Sequence, residues 1–265
     1  MEPISVEFIS DGARMRGRFF NAFGTTPKAT LLFIPGWPGG PDDDLCLGPL
    51  LAKKGINFLT FNPRGLLPSE GLQSNANTLQ DIAITLQWLR QAEAQTRFGV
   101  DTTRLLIGGH SFGGGMAMVY ATQDPSVRRV VSIAGADFGE LAREYQRNAA
   151  FAEEFRVYNL STHRPEGPVD FDFDEGLKEW YDHQEIYGLR ENAGKLADRS
   201  ILLLGGWEDQ QVTIDQYLLP LYRTLRGAGA AKVTFIVYHT DHNFVNVRQR
   251  LASDIASWLL GDRSI

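Results

Sequence analysis

The chain has 265 residues, 43% of them hydrophobic, with 26 basic and 32 acidic side chains for a formal charge of −6. That length fits one large domain, or one domain with a sizeable insertion, and the negative balance argues against nucleic acid, since phosphate binding needs a basic face. MEPISVEFIS carries no basic leader or signal-length apolar run, no stretch approaches the ~18 apolar residues of a membrane helix, and the single Cys46 allows no intrachain disulfide, so a soluble cytoplasmic protein is expected.

In chain order, SVEFIS and RMRGRFF flank Asp11-Gly12, a hairpin turn pair. ATLLFI is a continuous apolar run, the mark of a strand covered on both faces. DDDLCLGPLLAKKG has acids first and Lys-Lys-Gly last, the signals of a helix start and stop, and would bury Cys46 as a small apolar side chain. INFLTF predicts a second buried strand. Leu79, Ile82, Leu86 and Leu89 recur at helical spacing after Asn77 and Thr78 as candidate caps. RLLIGG predicts a strand, GMAMVYATQD a helix and RRVVSIAG a strand. SILLLGG, TIDQYLLPLYRTLRGAG and KVTFIVYH then predict strand, helix and strand, and Val247, Leu251, Ile255 and Leu259 line a last helix. Apolar strands alternating with helices imply an α/β fold with a mostly parallel sheet covered on both faces.

Residues 137–197 break this rhythm. They hold ten of the 29 aromatic side chains, and 14 acidic against 7 basic residues, a balance of −7. The stretch is too long for an ordinary connection and too aromatic for a disordered linker. FGELAREYQRNAAFAEEF and DEGLKEWYDHQEIYGL predict helices. The expected division is a core of residues 1–136 and 198–265 with a helical lid of 137–197 over one end of the sheet.

GGHSFGGG, residues 108–115, sets one serine among five glycines, directly between a predicted strand and a predicted helix. So much glycine costs backbone entropy, so close approach or an unusual turn must require it. Gly109-His110-Ser111-Phe112-Gly113 is a G-x-S-x-G pattern, the nucleophile elbow that pushes a serine hydroxyl out at the carboxyl end of a sheet. With this context the chain resembles the α/β-hydrolase superfamily over nearly its whole length, lid insertion included. The resemblance implies a chain order of Ser111, an acid and then a histidine. His242 in DHNF matches the family's base. His239, at the end of the strand, is expected to pack, His110 to face the core, and His163 and His183 fall in the lid. Asp209 in GGWED matches the acid, with Glu208, Asp137 and Asp241 as competitors. Asp209 could instead cap a helix, and Asp137 could cap one beginning near Phe138.

PGWPGG, residues 35–40, resembles the family's oxyanion turn, with Pro35 where histidine is usual. The backbone N–H groups of Trp37 and Phe112 are then the expected oxyanion donors, since Pro38 has none. Arg64, in NPRGLLPSEG, is read as a structural partner of a carboxylate. No phosphate-binding glycine motif occurs. HTDH has a metal-like look, but a metal role would leave the placement of Ser111 unexplained. The expectation is a cofactor-free, metal-free serine hydrolase cleaving a small carboxylic ester through an acyl-enzyme. An aminopeptidase on the same scaffold, and a ligand-binding protein without turnover, stand as alternatives.

Overall fold

The hairpin is set by its turn. In the computed structural model, which describes residues 2–39 and 44–261, β1 (Ile4–Ser10) and β2 (Ala13–Phe20) pair antiparallel and close on Ser10 opposite Ala13. Asp11 and Gly12 hold φ of 47° and 77°, the left-handed pair whose twist suits a two-residue hairpin.

The other strands are β3 (Lys28–Ile34), β4 (Asn57–Asn62), β5 (Val100–His110), β6 (Arg129–Ile133), β7 (Ser200–Gly206) and β8 (Val233–Tyr238). They build one sheet of order β1-β2-β4-β3-β5-β6-β7-β8, parallel from β4 to β8. Period-two alternation sends Leu32, Ile34 and Ile107 to one face and Leu31, Phe33 and Leu106 to the other. The first face packs on α2 (Asn75–Leu89), α3 (Ala92–Phe98), α4 (Phe112–Gln123) and α9 (Leu219–Gly227). The second packs on α1 (Leu47–Lys53) and α10 (Arg248–Gly261). Because both faces are covered, β4 and β7 are buried at every position, which is why they read as unbroken apolar runs.

Local chemistry moved several boundaries. α2 is capped by Ser74, whose hydroxyl accepts the Asn77 N–H at 3.0 Å, rather than by Asn77 or Thr78. Ser74 is the last extended residue and so the one able to turn its oxygen back on the helix. Of the helix expected over 42–55, residues 47–53 are α-helical, and positions 42 and 43 lie outside the described residues. Cys46 is exposed, not buried as expected, and accepts a hydrogen bond from Arg248 at 3.2 Å. It sits at φ 54° ahead of α1, a turn that keeps its side chain out of the core-facing stripe. The helix expected over 213–229 opens with a π-helical turn at Ile214–Leu218. Pro220 has no N–H for the Gln216 carbonyl four residues back, and Arg190 Nη2 donates to that oxygen instead, at 2.5 Å.

Between β6 and β7 run α5 (Phe138–Arg147), α6 (Ala149–Ser161), α7 (Phe173–Asp182) and the short α8 (Gln184–Tyr187). α5 and α6 are two helices because Asn148, in an extended conformation, ends one and caps the other through the Phe151 N–H at 3.2 Å. Asp137 caps α5 through the Glu140 N–H at 3.4 Å. It also takes the Leu189 N–H at 3.3 Å and lies 3.1 Å from Arg190 Nε. Burial raises its carboxyl above the usual aspartate range, against the pull of Arg190. Among the described residues no helix is long and apolar enough to cross a membrane.

Candidate active site

Ser111 stands between β5 and α4 at φ 52°, ψ −118°, a conformation that costs a non-glycine residue roughly 1–3 kcal/mol. The flanking glycines explain how the chain reaches it. A Cβ on Gly109 would lie 2.4 Å from the Gly113 carbonyl and 2.6 Å from Ile34 O. One on Gly113 would lie 2.1 Å from Ile34 O, and one on Gly115 2.2 Å from Ala136 O. The turn is therefore in backbone contact with the ends of β3 and β6, and no side chain fits between. Hydrogen bonds lock it: Ser111 N–H to Ile133 O at 2.9 Å, and Gly115 and Ala136 N–H to Ser111 O at 3.0 Å.

No side chain caps α4, so the N–H groups of its first turn, beginning at Phe112, face outward at the positive end of the helix. Trp37 follows β3 and packs edge-on against Phe112 at 5.7 Å and Phe171 at 4.9 Å. Its indole N–H donates to Thr162 at 3.0 Å, which fixes the ring.

The expected acid and base, Asp209 and His242, lie on the loops after β7 and β8. The pairing of those strands continues past their ends, with Trp207 N–H on Tyr238 O at 2.9 Å and Glu208 N–H on Thr240 O at 3.1 Å. Gly206 permits this approach, because a Cβ there would lie 2.4 Å from Thr240 O. Asp209 is buried. Its Oδ1 accepts the Gln211 and Val212 N–H groups at 2.8 and 2.9 Å, and its Oδ2 lies 2.7 Å from His242 Nδ1. One oxygen thus holds the turn at 211–212 and the other meets the ring, while the helical segment that follows is capped by Thr213 through the Gln216 N–H at 3.3 Å, not by Asp209. With Nδ1–H donated to Asp209, a neutral His242 has its acceptor lone pair on Nε2. Nε2 makes no hydrogen bond among the described residues, Ser111 Oγ included, as is common before substrate tightens such a site.

His110 does more than face the core. Its Nε2 lies 2.8 Å from the His242 carbonyl and so donates to it, and the two rings are 4.7 Å apart. The residue before Ser111 therefore holds the backbone of the His242 loop. The only sequence signal for this was a polar side chain at a buried position of the elbow.

The competitors are accounted for. Glu208 and His239 are exposed and meet each other at 3.3 Å. His239 does not pack as expected: β8 ends at Tyr238, and the histidine side chain is 88% exposed. Asp241 is exposed and accepts the N–H of Asn243 at 3.0 Å. Asp137 is occupied by α5 and Arg190. Arg64 is buried against Asp81, with its Nε and its backbone N–H each 2.8 Å from that carboxylate.

A cavity of about 430 Å³ opens beside Ser111, lined by Trp37 and Phe112 and by aromatic side chains of α5, α6 and α7. Glu154 and Asp172 also line it.

A family profile described as the alpha/beta hydrolase fold matches residues 29–174. Among solved structures, the esterase domain of a Rhodothermus marinus protein is similar at 19% identity and TM-score 0.65, covering 98% of this chain and 100% of that one. The Pyrococcus furiosus esterase Pf2001 is similar at 14% identity and TM-score 0.70, covering 98% and 92%. The Pyrococcus horikoshii acylaminoacyl peptidase is similar at 18% identity and TM-score 0.68, covering 96% of this chain, which spans 40% of the peptidase's length. No curated protein sequence matches. At such identities the solved structures support the fold alone. The strand order, the strained serine between β5 and α4, and a profile match over more than half the chain lead to one conclusion: the chain belongs to the α/β-hydrolase fold family.

Proposed function

We propose that the chain is a serine hydrolase acting on carboxylic esters, with Ser111 as nucleophile, His242 as base and Asp209 as orienting acid. The observation that carries the reading is the buried Asp209–His242 pair at 2.7 Å, on the loops beside the Ser111 turn. Ser111 Oγ attacks the ester carbonyl while His242 Nε2 takes its proton. Asp209 keeps the ring in the correct tautomer and stabilises the imidazolium. The N–H groups of Trp37 and Phe112 receive the developing oxyanion. His242 then protonates the departing alkoxide, and the acyl group stays on Ser111. Water, deprotonated by His242, cleaves that acyl-enzyme and regenerates the serine. The chemistry calls for no cofactor. The helices of 137–197 serve as the lid that screens the acyl-enzyme from bulk solvent, with residues 1–136 and 198–265 as the core. A small-molecule substrate in the cytoplasm is part of the proposal.

A fluorophosphonate probe tests the reading: it should label the wild-type chain and not Ser111→Ala. An unlabelled wild type would favour a ligand-binding protein that keeps the fold without turnover. Glu154 and Asp172 at the cavity support a second reading, an aminopeptidase whose substrate ammonium meets those carboxylates. Turnover of p-nitrophenyl esters against amino-acid arylamides separates the two.

A further inference from the structure

Gln73 lies just ahead of α2 and lines the cavity that holds Ser111, yet it is only 7% exposed. Its backbone is clamped. Its N–H donates to Asp170 O at 2.7 Å, the Asp170 N–H donates to Gly65 O at 2.9 Å, and a Cβ on Gly65 would lie 2.1 Å from Gln73 N. Its side-chain amide makes no hydrogen bond among the described residues, and neither amide atom is sealed from open space. A donor and an acceptor are thus held without a partner from the described chain on the wall of a cavity rich in aromatic side chains. Because no group of the described chain occupies this amide and it keeps access to open space, it is free to bond a ligand in the cavity.

The amide nitrogens of the two neighbouring asparagines are committed elsewhere. Asn75 Nδ2 donates to Glu179 at 2.8 Å, and Asn159 Nδ2 donates to Phe155 O at 2.8 Å. Glu154, Asp172, Gln210 and Gln211 are exposed. Among the described residues no Lys, Arg or His lines the cavity, while Trp37, Phe138, Phe155, Phe171, Phe173 and Trp180 do. Such a wall suits a flat aromatic group and offers no cation to a carboxylate.

We propose that the ester substrate carries a neutral aromatic ring with one hydrogen-bonding substituent, and that Gln73 reads that substituent. This rests on the serine hydrolase reading above. The amide of Gln73 can accept from a hydroxyl or donate to an ether or carbonyl oxygen.

The test uses two ester series, methyl 3-arylpropanoates and 2-arylethyl acetates, with the ring unsubstituted, 3- or 4-hydroxylated, or 3- or 4-methoxylated. In one series a hydroxylated ester should exceed its unsubstituted parent about tenfold in kcat/KM, the scale of one well-placed neutral hydrogen bond. Gln73→Leu should bring that ratio near one. Gln73→Glu, which keeps the length and the acceptor but loses the donor, should preserve the hydroxyl preference and abolish any methoxy preference. The same compounds titrated into Ser111→Ala, read by quenching of Trp37 and Trp180, should show the same preference in binding. Binding that discriminates through Gln73 in a chain that turns over no ester would overturn the hydrolase reading, and with it the ester of this proposal, while leaving the recognition of the ring substituent by Gln73 in place. Turnover without any substituent preference, or a preference that survives Gln73→Leu, would overturn this proposal alone.

Discussion

Asp209 Oδ2 and His242 Nδ1 lie 2.7 Å apart although 33 residues separate them in the chain. The carboxylate cannot swing away, because two backbone N–H groups hold its other oxygen. Asp209→Asn should lower kcat by about 10³–10⁴, since the amide favours the wrong imidazole tautomer, with KM little changed. Asp137→Asn and Glu208→Gln should each cost under about tenfold, because neither carboxylate meets the ring. Steady-state kinetics on one ester decides it; a crippled Asp137→Asn beside a mild Asp209→Asn would move the acid to β6.

Ser111→Ala should fold and fall to the residual rate left by binding and the oxyanion donors. Activity within tenfold of wild type would remove Ser111 as nucleophile. The strained φ of 52° adds a second readout. Ser111→Gly should be more stable than Ser111→Ala by about 1–2 kcal/mol, because glycine adopts positive φ without a Cβ penalty. Urea unfolding of the two variants measures the difference.

Arg64 is a structural residue in this fold. Asp81 is wholly buried and also accepts the Ser10 hydroxyl at 2.6 Å. Arg64→Ala strips that carboxylate of its cation and should cost about 3–5 kcal/mol of stability. Folded Arg64→Ala should still react with the fluorophosphonate at close to the wild-type rate. Loss of labelling in folded protein would place Arg64 in the chemistry.

Anionic esters should react more slowly than neutral isosteres. Residues 137–197 carry −7, and Glu154 and Asp172 line the cavity with no basic side chain among the described residues there to offset them. Much of that acid is already paired, as Glu140 is with Arg143, Arg147 and Arg190. The effect should therefore be severalfold and should shrink with salt, since exposed charge is screened over about 8–10 Å. A comparison of a succinate half-ester with its neutral isostere at two ionic strengths reads it; faster anionic turnover would remove the charge argument.

The sheet and the elbow were legible from residue pattern alone. Strands covered on both faces must be continuous apolar runs, so ATLLFI, INFLTF and SILLLGG announced themselves. Backbone-to-backbone contact tolerates no Cβ, so the glycines around Ser111 were legible as a turn. The family order of residues then singled out Asp209 and His242 from nearby competitors. What it left undecided was everything set by contacts across the fold. His239 and His242 differ by three positions, and only the end of β8 puts one in solvent and the other beside Asp209. His110 looked like core filling, because its partner is a carbonyl 132 residues away. Gln73 carried no motif at all. Its amide became conspicuous only when the loops after β4 and around Asp170 enclosed it beside the aromatic rings of the helical insertion, since burial and the lack of a partner are properties of the assembled chain and not of any local pattern.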